Sequence, residues 1–152
     1  MKAIILSISC ILLASNILFA QSPGKVALNK SQYNKLTAAE KQVIEDEGTE
    51  APNKGTYTHN KANGTYYCKR CNAPLFRSKS KFESGTGWPS FDDEIKGSVR
   101  RITDTDGMRT EIECANCKAH LGHVFLGEGF TPKSTRNCVN SISLTFVPAK
   151  KK

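Results

Sequence analysis

The chain has 152 residues, of which 38% are hydrophobic and 24% charged, with a formal net charge of +8. This length accommodates one domain with an adequate core and leaves little room for a second. The composition excludes collagen-like, coiled-coil and wholly disordered chains. A basic chain can bind nucleic acid, but the lysines are scattered. We interpret the charge as favouring solubility and weak attraction to anionic surfaces, and predict no nucleic-acid partner.

Residues 1–20 differ in composition from the remainder of the chain. One positive charge, Lys2, precedes an apolar run that ends at Ala20, and a polar segment follows. This pattern predicts a secretory signal peptide that is removed after Ala20. An uncleaved membrane anchor is disfavoured because Asn16 and several serines interrupt the run, and a lipid anchor on Cys10 would follow too short an apolar segment. We therefore predict an exported protein, periplasmic or secreted, without stable membrane association after cleavage.

The first element predicted after the signal peptide is a short helix. Residues 21–32 form a polar leader without periodicity, and the pattern of residues 33–47, YNKLTAAEKQVIEDE, is helical. Thr37 can cap the helix, and Glu40 stands at the capping-box position. The following segment, GTEAPNKGTYTHNKANGTYYC, is rich in Gly, Pro and Asn and ends the helix.

Short strands are predicted for most of the remaining chain. Asn63-Gly64 and Asp106-Gly107 are hairpin turn signals between neighbouring strands, and the last strand shows the clearest alternation of apolar and polar residues. The chain is therefore predicted to be mainly β and antiparallel, with a basic tail over residues 148–152. The candidate strands are Thr56–Thr58, Thr65–Tyr67, Pro74–Arg77, Val99–Asp104, Met108–Cys114, His123–Leu126 and Ser141–Phe146.

Two segments repeat the pattern Cys-x-x-Cys-x-Ala-x-Leu. CKRCNAPL contains Cys68 and Cys71, and CANCKAHL contains Cys114 and Cys117. Two such turns supply four thiolates, the tetrahedral ligand set that Zn²⁺ prefers, and a closed Cys₄ site is structural rather than catalytic. Disulfides are the alternative in an oxidising compartment. They would close very small loops that stabilise little, and such dithiols are usually redox-active, so we favour zinc.

One further cysteine, Cys138, lies in the segment STRNCVNS, apart from the two pairs. An unpaired cysteine in an exported protein indicates a free thiol or an intermolecular bond. Arg136 and Asn140 stand two residues away on either side, so an extended backbone would place all three side chains on one face. A guanidinium group lowers the pKa of a neighbouring thiol and favours the nucleophilic thiolate. The alternative is a small buried hydrophobic residue.

Two other segments contain residues suited to a catalytic site. AHLGHVF provides His120 and His123, and a histidine near a free thiol indicates general acid–base chemistry. His120 also follows the second cysteine pair closely enough to be an alternative zinc ligand. SGTGWPSF contains Trp88, the only tryptophan. Because glycine and proline frame its loop, we predict that Trp88 is a pocket wall rather than a core residue.

Taken in order, these motifs resemble the type B methionine-R-sulfoxide reductases over about residues 33–147. The resemblance implies two antiparallel β-sheets in a tent-like or sandwich-like arrangement, a short N-terminal helix and a structural Cys₄ zinc site formed by the two cysteine pairs. It also implies reduction of the R epimer of methionine sulfoxide in proteins to methionine, through a cysteine nucleophile and a sulfenic acid intermediate. The motifs that carry it are GTEAPNKGTYTHNKANGTYYC, the first CxxC, FESGTGWPSFD, the second CxxC, AHLGHVF and RNCVNSISL.

The resemblance also implies individual roles. Cys138 matches the nucleophile, and His123 is expected to be the acid, supported by His120. Arg136 and Asn140 match further active-site residues. The expected substrate-binding residues are Trp88, Phe125 and Glu128.

The sequence departs from the family pattern at two positions. Thr86 stands where many relatives have a second cysteine that resolves the sulfenic acid, so we expect recycling by a thioredoxin-like partner or a small thiol. Gly127 stands where relatives often have aspartate, and Glu128 follows it. We expect a monomer that acts on proteins containing methionine sulfoxide, as part of repair after oxidative stress.

Three other functions are compatible with parts of this pattern. A zinc-ribbon-like binding module without catalysis would use the cysteine pairs and bind nucleic acid with strong salt dependence. A hydrolase could use Cys138, His123 and Asn140 without a reductant. A dithiol redox protein could use the cysteine pairs themselves, and bound zinc would exclude it.

Overall fold

A computed structural model of the chain describes residues 30–104 and 107–150. The predicted signal peptide and the predicted leader up to residue 29 lie outside the described residues, as do the last two residues of the predicted tail. Within the described ranges, no helix is both long and apolar enough to cross a membrane.

The structure is mainly β, with two antiparallel sheets and one short α-helix, which confirms the predicted fold class. The smaller sheet has three strands in the order β2-β1-β9, and the larger has six in the order β3-β4-β8-β7-β6-β5. The elements are α1 (Ala38–Ile44), β1 (Gly64–Cys68), β2 (Pro74–Arg77), β3 (Lys81–Phe82), β4 (Ser90–Phe91), β5 (Val99–Thr103), β6 (Thr110–Cys114), β7 (His120–Leu126), β8 (Thr135–Val139) and β9 (Leu144–Pro148), with short 3₁₀ turns at Lys30–Gln32, Ser78–Ser80 and Ser141–Ser143.

The N-terminal helix begins with the predicted capping box. The backbone N–H of Glu40 donates to Thr37 Oγ1 at 3.3 Å, and the backbone N–H of Thr37 donates to Glu40 Oε2 at 2.7 Å. The helix is shorter than predicted because Glu47 adopts a positive φ of 56° and the Gly48 N–H returns to the Gln42 carbonyl at 3.0 Å. Such a left-handed residue closes the last helical turn.

The first predicted hairpin is wrong. Thr56–Thr58 forms a turn rather than a strand, and Gly64 begins β1, which pairs with β2 and β9. A Cβ atom at Gly64 would overlap the carbonyl oxygen of Val147 on β9. The glycine at this position therefore permits close approach of two strands instead of forming a turn.

The second predicted hairpin is confirmed. Strands β5 and β6 pair in antiparallel register, with Thr103 opposite Thr110. The connecting loop is longer than the Asp-Gly signal suggests, since β5 ends at Thr103 and β6 begins at Thr110. Asp104 N–H donates to the Arg109 carbonyl at 3.0 Å across the base of this loop. Both strands are therefore shorter at the loop than the predicted Val99–Asp104 and Met108–Cys114.

The predicted strand Ser141–Phe146 is only partly correct. Its first three residues form a 3₁₀ turn, and β9 starts at Leu144. Ser141 and Ser143 are buried rather than facing solvent, and Ser141 Oγ accepts a hydrogen bond from the Tyr57 backbone N–H at 2.8 Å. The ordered strand also extends into the predicted tail, since Pro148 belongs to β9.

Aromatic side chains join the two sheets. Tyr66 and Phe76 of the smaller sheet and Phe91 of the larger sheet are fully buried. Phe76 stacks on Phe91 with 4.4 Å between ring centroids, and Tyr66 meets Phe91 edge-on at 5.0 Å. Such contacts combine apolar burial with specific ring geometry. They pack β4 against the smaller sheet, and β4 pairs with β8, which in turn pairs with β7. Strands β7 and β8 carry the candidate site.

Candidate functional site

The two cysteine pairs form one buried cluster. Their four sulfur atoms lie within 4.8 Å of one another, and all four residues are buried. Two contacts cross between the turns: Cys68 Sγ lies 3.6 Å from Cys117 Sγ, and Cys71 Sγ lies 3.6 Å from Cys114 Sγ. A tetrahedral metal with sulfur ligands at about 2.3 Å separates its ligands by about 3.8 Å. The cluster can therefore hold a metal ion.

The backbone repeats itself at the two turns, as the sequence repeat predicts. Asn72 N–H donates to the Cys68 carbonyl at 2.9 Å, and Lys118 N–H donates to the Cys114 carbonyl at the same distance. Asn72 and Lys118 both adopt a left-handed backbone, with φ of 59° and 61°. Each turn thus directs two sulfurs toward the same point. The five cysteines in the described part of the chain are all unbonded thiols.

A separate cavity of about 150 Å³ lies at strands β7 and β8, and Cys138 is one of its lining residues. The cavity brings together most of the site residues expected from the sequence. It does not include Arg136, His120 or Glu128, which lie beside it. Its lining residues are Thr49, Trp88, Arg109, Gly122, His123, Phe125, Cys138 and Asn140.

The register of β7 and β8 places the central pair. His123 lies opposite Cys138 in the antiparallel ladder. Gly122 precedes it with φ of +144°, and a Cβ atom there would overlap the carbonyl oxygen of Cys138. Glycine is therefore required for the close approach of the two strands.

A β-bulge places both histidines on one side of β7. His120 pairs with Glu113 and Gly122 pairs with Ile112, so Leu121 is an extra residue in the strand. Residues three apart in a regular strand face opposite sides, and a bulge re-aims the side chain that follows it. The rings of His120 and His123 consequently lie 5.7 Å apart at their centroids.

Cys138 is half-buried, and opposing influences act on its thiol. Burial raises its pKa most strongly, whereas the charge of Arg136 and hydrogen bonds from Thr86 and Arg136 lower it. The net shift is upward. The expected influence of Arg136 is therefore present, but burial outweighs it.

Arg136 is held by an acidic partner on the loop after β7. Its Nε donates to Glu128 Oε2 at 2.7 Å and its Nη2 donates to Glu128 Oε1 at 2.8 Å. The guanidinium also lies 4.3 Å above the centre of the Phe125 ring. The hydrogen bonds to Arg136 lower the pKa of Glu128, and Glu128 raises the pKa of Arg136. Glu128 therefore fixes the arginine and does not line the cavity.

The two histidines have different carboxylate partners. His123 Nε2 lies 3.2 Å from Asp104 Oδ2. Burial and the positive charge of Arg109 lower the pKa of His123, while Asp104 raises it, and the net shift is downward. His120 is 2% exposed, and its Nδ1 lies 2.5 Å from Glu111 Oε1. That contact orients the ring of His120, and His120 is not part of the four-sulfur group.

The segment around Glu50 positions two further cavity residues. Its backbone N–H donates to Asn140 Oδ1 at 2.9 Å, and its carbonyl accepts from Trp88 Nε1 at 2.9 Å. The Asn140 amide also donates to the Leu121 carbonyl at 3.3 Å. Trp88 is thus a half-buried wall of the cavity held by its indole N–H, as the Gly-Pro frame of its loop suggested.

Sequence reasoning missed several residues of this site. Asp104 and Arg109 flank the predicted Asp-Gly turn, and that position was a usable signal for them. Glu111 gave no such signal, because polar and apolar residues alternate in TEIEC. That pattern predicts a strand whose acidic residues face solvent. Glu50 contributes mainly through its backbone, and composition cannot reveal that contribution.

Comparison with known proteins gives consistent results. Residues 36–148 match the SelR domain family. The chain is 46% identical over 138 residues to Peptide methionine sulfoxide reductase B3 of Arabidopsis thaliana, covering 90% of this chain and 78% of that protein. It is 44% identical to Peptide methionine sulfoxide reductase B5 of Oryza sativa subsp. japonica, covering 84% and 95% of the two chains. A solved structure of a Mis18 "Yippee-like" domain is similar over 59% of this chain, with 18% identity and a TM-score of 0.45.

Proposed function

Because the chain belongs to the SelR domain family and is similar to proteins named peptide methionine sulfoxide reductases, we propose that it reduces methionine sulfoxide in proteins and peptides. The R epimer is the proposed substrate, and Cys138 is the proposed nucleophile. The observation that carries this assignment is the position of Cys138 opposite His123, in a cavity walled by Trp88 and Phe125.

The reaction needs a thiolate and an acid at the same moment. The surroundings shift both groups toward their neutral forms, because the pKa of Cys138 is raised and the pKa of His123 is lowered. Transfer of the thiol proton to His123 creates both reactive forms without changing the net charge of the cavity. A sulfoxide oxygen that accepts a hydrogen bond from the imidazolium would favour this ion pair.

The proposed reaction balances as an oxygen transfer. The thiolate of Cys138 attacks the sulfoxide sulfur and forms a sulfur–sulfur bond while the oxygen accepts the proton from His123. The sulfur–oxygen bond then breaks as the protonated oxygen bonds to the Cys138 sulfur, and the sulfur–sulfur bond breaks with its electron pair left on methionine. Methionine leaves after a two-electron reduction, and the oxygen remains on Cys138 as a sulfenic acid. Trp88 and Phe125 provide the apolar surface for the methyl group and the side-chain stem, which would select one epimer.

Recycling of Cys138 is proposed to use an external thiol. Thr86, whose hydroxyl lowers the pKa of the Cys138 thiol, stands at the position where a second cysteine would act in many relatives. Among the described residues, the other four cysteines form the buried cluster. A thioredoxin-like protein or a small thiol would therefore reduce the sulfenic acid through a mixed disulfide.

We propose that the cysteine cluster holds structural Zn²⁺. Cys68, Cys71, Cys114 and Cys117 would be its ligands, and four protein thiolates fill a tetrahedral site and leave no position for substrate. Bound zinc would supply a cross-link between the two sheets and no part of the oxygen transfer. We further propose export through residues 1–20 to the periplasm or medium, a monomeric state and a role in repair after oxidative stress.

Single-turnover assays test the proposed function. Each epimer of a methionine sulfoxide peptide is mixed with metal-loaded protein without added thiol, and methionine is quantified. We expect about one equivalent from the R epimer, none from the S epimer and none with Cys138→Ser. A metal-loaded wild-type protein that releases no methionine from either epimer would contradict the proposal.

A further inference from the structure

Three hydroxyl groups form a hydrogen-bonded chain beside Cys138. Ser84 Oγ lies 2.8 Å from Thr86 Oγ1 and 2.7 Å from Ser90 Oγ. The hydroxyl of Thr86, at one end, lowers the pKa of the Cys138 thiol, and Ser90 Oγ lies 3.3 Å from the carbonyl oxygen of Trp88 at the other. Ser90 lies directly opposite Cys138 in the β4–β8 ladder, so their side chains lie on the same face of the sheet. We call Thr86, Ser84 and Ser90 the hydroxyl chain. It is separate from the Arg136–Glu128 pair and from both histidines.

The fold holds the hydroxyl chain in place. Ser90 lies opposite Cys138 in the β4–β8 ladder and is completely buried. The loop before β4 turns back through Gly85 and Gly87, which have φ of 71° and 95°. A positive φ is readily adopted by glycine. The loop thereby places Thr86 beside Ser84, whose hydroxyl bonds to Ser90 opposite Cys138.

Proton counting shows that the hydroxyl chain has two possible directions. Each hydroxyl has one proton to donate and can accept through its lone pairs. When Cys138 is a thiol, Thr86 donates to Ser84, Ser84 to Ser90 and Ser90 to the Trp88 carbonyl. When Cys138 is a thiolate, Ser90 donates to Ser84, Ser84 to Thr86 and Thr86 to the sulfur. The reversal rotates three hydroxyl groups and moves no heavy atom.

We propose that the hydroxyl chain is a switchable hydrogen-bond donor that stabilises the thiolate of Cys138. Thr86 contacts the reacting sulfur, whereas Ser84 and Ser90 are positioning residues that act through Thr86. This inference rests on the proposed role of Cys138 as nucleophile. Thr86, which stands where many relatives have a second cysteine, would then act on the same sulfur as a hydrogen-bond donor.

A hydroxyl donor suits this site because burial opposes the thiolate. Hydrogen bonding to the charged form counteracts desolvation, and a fixed hydroxyl does so without adding a charge that the sulfoxide must approach. A hydrogen bond to an ionised group also contributes more than one between neutral groups. Thr86 therefore supplements Arg136, whose guanidinium is already bound to Glu128.

Several charged or titratable groups surround Cys138, and the test must leave them unchanged. Arg136 lies on the same strand, with Glu128 bound to it. His123 faces Cys138 from β7, and Arg109, paired with Asp104, lines the other side of the cavity. Substitution of Thr86 removes no charge. A change in the titration of Cys138 would therefore report the loss of its hydrogen bond.

The experiment measures the rate at which iodoacetamide alkylates Cys138 as a function of pH. Mass spectrometry of the peptide that contains Cys138 follows the reaction in metal-loaded protein. Thr86→Val removes the hydroxyl at nearly constant shape, and Thr86→Ser retains it. Ser84→Ala interrupts the hydroxyl chain one step away. Thr135→Val is the matched control, because Thr135 lies on β8 and donates to the Lys133 carbonyl instead.

We expect Thr86→Val to raise the pH midpoint of alkylation by about one unit, which lowers the rate about tenfold at a pH below both midpoints. Thr86→Ser and Thr135→Val should keep the wild-type midpoint, and Ser84→Ala should shift it upward by less than Thr86→Val. A wild-type midpoint in Thr86→Val overturns the proposal. Equal shifts in Thr86→Val and Thr86→Ser also overturn it, because they would reflect packing.

The alkylation assay separates this proposal from the reductase function. It contains no sulfoxide, so it reports only the thiolate of Cys138. A shifted midpoint in a protein that releases no methionine would contradict the reductase function and retain the hydroxyl chain. Normal release of methionine by the wild-type protein, together with an unshifted midpoint in Thr86→Val, would support the reductase function and contradict the role of the hydroxyl chain. An unchanged midpoint in Ser84→Ala would contradict the relay beyond Thr86.

Discussion

The cysteine cluster and the Cys138 cavity use the same side chain in opposite ways. In the cluster, four buried sulfurs lie within 4.8 Å of one another. In the cavity, one half-buried sulfur faces a histidine and an open space of about 150 Å³. Four thiolates at one point favour a metal ion and leave no free position, whereas a lone accessible thiolate is a nucleophile. The number of neighbouring sulfurs and the access to solvent therefore decide what each cysteine does.

The two regions also differ in how the sequence builds them. Each half of the cluster comes from one tight turn, whose hydrogen bonds join residues within a few positions. The cavity depends on distant segments: Trp88 from a loop, His123 from β7 and Cys138 from β8. Damage to the cluster should therefore affect the whole fold, and damage to the cavity should affect chemistry alone.

The largest expected effect is loss of the metal through Cys68→Ser. The substitution removes one of four ligands that join the two sheets, and metal-binding free energy in such sites contributes directly to folding. We expect metal content to fall below stoichiometric levels, with the loss of several kcal/mol of stability. Elemental analysis and denaturant unfolding measure the two effects. A variant with full stability after metal loss would contradict a structural role for the cluster.

The next largest effect is expected from Cys138→Ser, which sharpens the contrast. Removal of a nucleophile can lower turnover by on the order of 10³-fold or more, while the cluster is untouched. We expect no measurable methionine formation, together with wild-type metal content and unfolding. Steady-state assays with a thiol reductant measure activity. Turnover near the wild-type rate in this variant would contradict the role of Cys138 as the nucleophile. It would indicate that another group, such as a thiol of the cluster, carries out the reaction.

A smaller effect is expected when the arginine loses its acidic partner in Glu128→Gln. The substitution keeps the size of the side chain and removes the charge that holds Arg136 beside Cys138. We expect kcat to fall about tenfold, equivalent to about 1.4 kcal/mol, with a smaller change in KM. A matched control is Glu83→Gln, because Glu83 pairs with Lys81 away from the cavity. Equal losses in both variants would contradict a specific role for Glu128.

The smallest expected effects are opposite shifts of the pKa of His123. Asp104 raises that pKa and Arg109 lowers it. Asp104→Asn should therefore lower the pKa of His123 and reduce its protonated fraction at a given pH, whereas Arg109→Gln should raise both. Shifts of about half a unit to one unit are expected, measured by NMR titration of the His123 ring. Shifts of the same sign in both variants would contradict the electrostatic account.

The sequence predicted best the features that depend on neighbouring residues. The Cys-x-x-Cys repeat, the capping box at Thr37 and the second hairpin are local patterns, and the structure contains all three. The first hairpin failed because Gly64 serves a strand contact rather than a turn. Ser141 was misread because its hydroxyl accepts from the backbone N–H of Tyr57, 84 residues away. Ser143 was misread because its carbonyl accepts from the backbone N–H of Lys69 in another part of the chain.

The cavity shows the same limit. Cys138, His123, Asn140, Trp88 and Phe125 were expected in one site, and the structure brings them together. The bulge at Leu121 could not be predicted, because it arises from the register between β6 and β7. Glu111, the carboxylate partner of His120, was missed for the same reason, since the pairing of β6 with β7 brings it within reach.

The central claim is that oxidation occurs at Cys138 and leaves the cysteine cluster intact. The most direct test is mass spectrometry after one turnover with an R-sulfoxide peptide and no added thiol. A native spectrum reports bound metal, and trapping with a sulfenic-acid reagent locates the oxygen. The account predicts one trapped oxygen on Cys138 and one retained metal ion. A disulfide among Cys68, Cys71, Cys114 and Cys117 with release of the metal would contradict it.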